Sequence, residues 1–151
     1  MEEVEESSAG GRKVIIWARF KPCLREIARR LGPEAVCYWG EIKEDARIQA
    51  IKRLQNDDRI RYFVASSAAA YGLTLTAASR AIYHSQSSSL DIRLQSEKRN
   101  HRIGTTEKVL YTDIEAYRSV DGRIINALRK HKELADQINR DPVSLFLEEE
   151  E

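Results

Sequence analysis

Residues 95–104 read QSEKRNHRIG. Arg99 and Arg102 are three positions apart, so on a helix their guanidiniums share one face. Each can donate a fork of hydrogen bonds to phosphate oxygens. An arginine brought to a transferring phosphoryl group raises the rate by about 10³–10⁵. The chemistry on offer is recognition of a phosphate chain. The alternative is a solvated basic face, to which Lys98 and His101 also contribute. The second candidate is SSAAAYGLTLTAAS, residues 66–79. Ser66, Ser67, Thr74 and Thr76 supply hydroxyls, and Gly72 permits a tight turn or close backbone approach. Short donors of this kind hold phosphodiester backbones without reading bases. The same run also reads as a small-residue turn packed tightly on a sheet.

Other chemistries lack their residues. The phosphate loop GxxxxGK[ST] is absent, as is a strand ending in paired acids that would hold magnesium. No nucleophile-elbow spacing occurs. His84, His101 and His131 are not at metal spacing with Cys23 and Cys37, so no metal site is expected. Arg99 and Arg102 can touch a phosphate, but nothing here could cradle one alone.

The elements that must position these residues follow from hydrophobic periodicity. Short apolar, β-rich runs predict strands over 13–18, 35–39, 60–65, 80–83 and 108–112. Helical spacing predicts helices over 22–31, where Leu24, Ile27, Ala28 and Leu31 share a face, and over 43–54. A basic helix is expected over 88–100 and a long closing helix over 122–138. Gly32-Pro33 stops the first helix. Alternating strands and helices imply an α/β fold: an open, mostly parallel sheet of about five or six strands with helices on both faces. Ligands bind such sheets at the carboxyl ends of the strands. Trp17 and Trp39, at strand ends, read as packing.

The whole chain of 151 residues suits one domain. Its formal net charge is +1; without the eight glutamates at positions 2, 3, 5, 6 and 148–151, that becomes +9 for the body. A basic body suits an anionic partner, while acidic tails can serve solubility alone. We read 1–11 as a disordered acidic tail or linker, 12–140 as the domain and 141–151 as an acidic C-terminal tail. Two cysteines outside any CxxC motif imply reduced thiols and a cytoplasmic location. No apolar run approaches a membrane span, and the acidic N-terminus is no signal peptide.

In order, the chain carries KVIIWARF and a helix, YWGEIKEDARIQAIKRL, VASSAAAYGLTLTAASRAIYH, QSEKRNHRIGTTEKVLY and GRIINALRKHKEL. Over about residues 12–138 this resembles the C-terminal RecA-like lobe of superfamily-two helicases, most closely the Swi/Snf type of DNA-dependent ATPase. The first strand and its loop resemble motif four. Gly40 and Arg47 match the glycine and arginine-bearing helix that follow. Ser66, Ala69, Gly72, Leu73 and Leu75 match motif five. Gln95, Arg99, His101, Arg102, Ile103 and Gly104 match motif six. Lys98 replaces a usual acid, Thr105 a usual glutamine, and HSQSSSLD lacks a usual tryptophan. These departures mark a divergent member, of phage or mobile-element type, with a host-cytoplasmic location if viral.

The resemblance implies a motor lobe of an ATP-dependent DNA helicase or translocase. ATP and Mg2+ would be shared with a separate N-terminal lobe that supplies the phosphate loop and the magnesium acids. Arg99 and Arg102 would be arginine fingers, and Gln95 and Gly72 would join them at the nucleotide. Ser66, Ser67, Thr74 and Arg19 would meet the backbone of duplex or single-stranded DNA. The isolated chain would not hydrolyse ATP at a useful rate. The alternative is a solitary RecA-like module that binds nucleic acid or protein and has no ATPase activity.

Overall fold

The computed structural model describes residues 2–67, 71–85, 87–100, 108–116 and 119–140. The strands are β1 (Lys13–Ala18), β2 (Ala35–Tyr38), β3 (Tyr62–Ser66), β4 (Ala78–Tyr83) and β5 (Leu110–Asp113). They form one sheet in the order β2-β3-β1-β4-β5, and every pairing is parallel. The helices are α1 (Glu2–Ser7), α2 (Lys21–Leu31), α3 (Glu44–Asn56), α4 (Leu90–Asn100) and α5 (Asp121–Arg140). The α/β expectation stands, with a RecA-like topology of five strands among the described residues.

β1 is central, and a parallel strand covered on both faces must be apolar on both. Val14 to Ala18 are accordingly buried throughout. Their alternation sorts the core into two layers. Ile15, Trp17, Phe63, Ala65, Ala81 and Tyr83 face one side with Ala50 and Leu54 of α3. Val14, Ile16, Val64 and Ile82 face the other, with Leu24 and Ile27 of α2. Pro22 sits in the first turn of α2, where its missing N–H costs no helical bond. At the far end Gly32 adopts φ 61°, and its N–H caps Ala28 O.

Several boundaries differ from expectation, and at three strands the backbone shows how. Ile60 precedes β3; its N–H closes a turn onto Asp57 O, and the Arg61 N–H reaches Glu34 O. Trp39 is buried but lies in the bend after β2. β4 begins at Ala78, paired with Lys13 ahead of a register shift.

The segment expected to be a disordered tail is instead ordered from residue 2 onward. α1 buries Val4, and Ser8 shares a 2.8 Å hydrogen bond with the Tyr62 hydroxyl. Arg61 donates to the Ser8 carbonyl. Gly10 and Gly11, at φ 74° and 78°, turn the chain into β1. Composition pointed to a solvated tail; one valine and two partnered polar groups dock it. The expected tail at 141–151 lies outside the described residues.

Candidate functional site

The candidate residues separate onto two edges of the sheet. Arg19 follows β1 and Ser66 ends β3, with Ala18 and Ser66 in register at the carboxyl edge. The Arg19 N–H donates to Ser85 Oγ beyond β4 at 2.8 Å. Its guanidinium lies 5.6 Å from the centre of the Phe20 ring, which is 55% exposed. Ser67 is buried beneath this rim.

Residues 71–75 run beside α4, from its first turn to its last. Tyr71 donates to Asp91, in the first turn of α4, at 2.5 Å, and this bond raises the Tyr71 phenol. Gly72 follows at φ 76°, in the left-handed region that disfavours a side chain. Leu73 and Leu75 enter the core, while Thr74 stays exposed with its carbonyl accepting from Gln55. The Leu75 N–H then donates to Arg99 O at 3.1 Å, at the last turn of α4. Asn100 reaches Ala78 O, at the first residue of β4.

Arg99 is held where loop and helix converge. Its Nε and one Nη donate to the carbonyl and side-chain oxygens of Gln95, at 3.0 and 2.9 Å. The other Nη donates to Leu73 O at 3.2 Å. Gln95, Arg99 and the Gly72 loop therefore form one assembly. Thr74 and Arg99 lie toward the amino edge; Arg19, Ser66 and Ser67 lie a strand length away, roughly 17 Å. The carboxyl-end rule thus locates only the second group. Arg102 and His101 lie outside the described residues, as does Ala69. Arg47 places its guanidinium 5.5 Å from the Tyr38 ring, packed on the sheet edge.

An ionic cluster beneath α4 escaped the sequence reading. Arg93 Nη1 donates to Asp113 of β5 at 2.5 Å, and Nε donates to Glu97 at 2.7 Å. Its guanidinium lies 3.7 Å from the centre of the Tyr83 ring. The three charged side chains are only 12–14% exposed. Burial alone would pull the Arg93 guanidinium down, but Asp113, Tyr83 and Glu97 outweigh it and raise it overall. The Tyr111 phenol is pushed up to about 12, chiefly by burial. Lys132 of α5 donates to Glu97 at 2.8 Å, and the Tyr111 hydroxyl donates to Glu97 O. Removing one partner from a buried pair costs about 3–5 kcal/mol. The i,i+4 spacing of Arg93 and Glu97 was available in sequence; nothing local pointed to Asp113.

The model for the helicase conserved C-terminal domain matches residues 1–104, and the chain belongs to that family. One curated relative is a SWI/SNF-related matrix-associated actin-dependent regulator of chromatin subfamily A-like protein 1 homolog from Caenorhabditis elegans. It is 29% identical over 134 residues, 85% of this chain and 19% of the relative. Helicase swr1 of Aspergillus fumigatus is 29% identical over 143 residues, 89% of this chain and 8% of its own length. The chain thus spans less than a fifth of either. Among solved structures, the C-terminal part of the Fun30 ATPase domain aligns with TM-score 0.68 and 25% identity, covering 78% of this chain and 39% of that one. The Sulfolobus solfataricus SWI2/SNF2 ATPase core domain shares the fold, with TM-score 0.71 and 24% identity over 91% and 29%. The expected resemblance to Swi/Snf-type lobes is thereby met. Among the described residues no helix is long and apolar enough to cross a membrane.

Proposed function

We propose that this chain is the C-terminal motor lobe of an ATP-dependent DNA translocase or helicase, working with a separate lobe that carries the phosphate loop. Arg99 and Arg102 are its arginine fingers. The observation that carries this reading is the direct hydrogen bonding of Arg99 to the Gly72 loop, through Leu73 O and the Leu75 N–H. Three of the five guanidinium N–H donors are engaged by Gln95 and Leu73 O, so an arginine that swings to offer its fork to phosphate oxygens exchanges these acceptors. Releasing Leu73 O removes one tie of the loop to α4 and leaves the Leu75 N–H on Arg99 O and the Tyr71 hydroxyl on Asp91. Contact with nucleotide and loosening of the Thr74 segment are then linked, which is what a motor needs. Gln95, which accepts two of the Arg99 bonds, holds the guanidinium until that exchange.

Arg19 and Ser66 supply a donor-lined rim for DNA phosphates at the other edge, with Ser67 buried beneath it, and Thr74 adds a hydroxyl on the segment that Arg99 contacts. Mg2+ would accompany ATP. Among the described residues no cluster of His, Cys, Asp or Glu could hold a metal ion, so this part of the chain does not fit as its holder. Its ligands would belong to the partner lobe.

Mixing the chain with a phosphate-loop N-terminal lobe of a Swi/Snf-type ATPase, and measuring DNA-stimulated ATP hydrolysis, tests the reading. Arg102→Ala should lower turnover by about a hundredfold or more. Strong turnover by the isolated chain, or equal turnover by mutant and wild type, would falsify the division of labour. Salt-sensitive DNA binding that survives Arg102→Ala, with no ATPase in the mixture, would assign the chain to the solitary binding class instead.

A further inference from the structure

α4 is anchored by an unusual inner face. The fully buried residues along it are Ser96 and Asn100, both polar. Ser96 shares a 2.6 Å hydrogen bond with the Tyr83 hydroxyl. Arg93, one turn before Ser96, engages three elements: Asp113 of β5, the Tyr83 ring of β4, and Glu97 of its own helix. Glu97 in turn takes Lys132 of α5, and Arg129 approaches Asp113 at 4.0 Å. Hydrogen bonds are directional, so a guanidinium fixed this way constrains rotation about the helix axis more tightly than apolar burial does. Gln95 and Arg99, four positions apart, share another face of the same helix. Any rotation of α4 therefore re-aims Arg99 and shifts the carbonyl that receives the Leu75 N–H.

We propose that Arg93 is a positioning residue: by clamping α4 to β5 and β4 it sets the rotation of the helix, and so the aim of Arg99 and the seating of the Gly72 loop. The catalytic half of this inference rests on the motor reading; the seating half stands on the chain alone. Arg93 itself does not meet the nucleotide.

Two measurements separate the halves. In the chain alone, amide hydrogen exchange compares Leu75, whose N–H partner is Arg99 O, with Ile16 in the middle of β1. Arg93→Met should lower protection at Leu75 by about tenfold or more while Ile16 keeps its protection, and Arg93→Lys should fall between. An equal fall at both amides would make Arg93 a general stability residue and overturn the proposal. So would unchanged protection at Leu75. In the two-lobe ATPase mixture, held well below the unfolding temperature, Arg93→Met should lower kcat by about tenfold or more, with KM for ATP within about twofold. Unaltered kcat despite lost Leu75 protection would overturn the aiming role. Wild-type protein that shows no ATPase would instead sink the motor reading, leaving the seating role to be judged by exchange.

Discussion

α2 and α4 are each eleven residues long, and each packs on the same sheet, but they are held there by different forces. α2 buries Leu24 and Ile27 against Ile16, Val64 and Ile82, and keeps its charges outside. There, Glu26 is clasped by Arg29 and Arg30, and Glu41 by Lys21 and Arg25. α4 turns Ser96, Asn100 and Arg93 inward and engages them with Tyr83, Ala78 O and Asp113. Apolar burial is strong but non-directional. Polar anchoring adds little net energy per bond but specifies an orientation. The helix that bears Arg99 is the one whose orientation is specified.

The comparison breaks most visibly at Leu24. Leu24→Ala removes a fully buried side chain from α2 and should destabilise the chain by about 2–5 kcal/mol in urea unfolding. Exchange at Leu75 and Ile16 should then rise together, because no directional contact of α4 is touched. Selective loss at Leu75 would erase the distinction between the two helices.

A smaller effect is expected where α4 is keyed to the sheet. Ser96 Oγ donates to Arg93 O at 2.8 Å, which leaves the Tyr83 hydroxyl to donate in their 2.6 Å bond. Ser96→Ala strands that buried hydroxyl and should cost about 1–3 kcal/mol, whereas Tyr83→Phe should cost about 0.5–1.5 kcal/mol. The double variant should cost less than the two combined, since the stranded hydroxyl is gone. Strict additivity in chemical unfolding would show that the pair does not key the helix.

The smallest effect belongs to the outer face of α2. Hydrogen bonds from Arg29 and then Arg30 hold the Glu26 carboxyl at about 2, against an ordinary 4.5. A carboxylate depressed by folding contributes stability that is present above pH 4.5 and lost as pH falls toward 2. The clasp is solvent-exposed, so the contribution is small and screened by salt. Glu26→Gln should leave the melting temperature at pH 7 within about 2 °C, and make the decline between pH 4.5 and 2 shallower. An unchanged decline would show that the clasp contributes nothing.

Much of this architecture was legible beforehand. β1 is an unbroken apolar run because both its faces are covered, and α2 is periodic because only one of its faces is. α1 was not legible, since four glutamates in residues 2–6 outweigh one valine in any compositional reading. The role of Arg93 was hidden for a different reason. Its partner Asp113 lies twenty positions away, on a strand that meets α4 only after the sheet has formed. In the candidate site, Gly72 and Arg99 were identifiable from residue type and spacing, and Gln95 from the family resemblance. Their separation from Arg19, Ser66 and Ser67 was not, because it depends on the path the chain takes beside α4.

By itself, then, the sequence determined the order and type of the main elements and the positions of the basic helix and the small-residue loop. Those follow from periods of two and 3.6 and from local turn chemistry, which act over a few residues. Only the tertiary structure decided the strand order β2-β3-β1-β4-β5 and the docking of α1. It also decided that Arg99 is engaged by Leu73, and that α4 is clamped by β4 and β5. These arise from contacts between segments far apart in the chain. Burial and hydrogen-bond geometry select them together, and no local window of residues contains both partners.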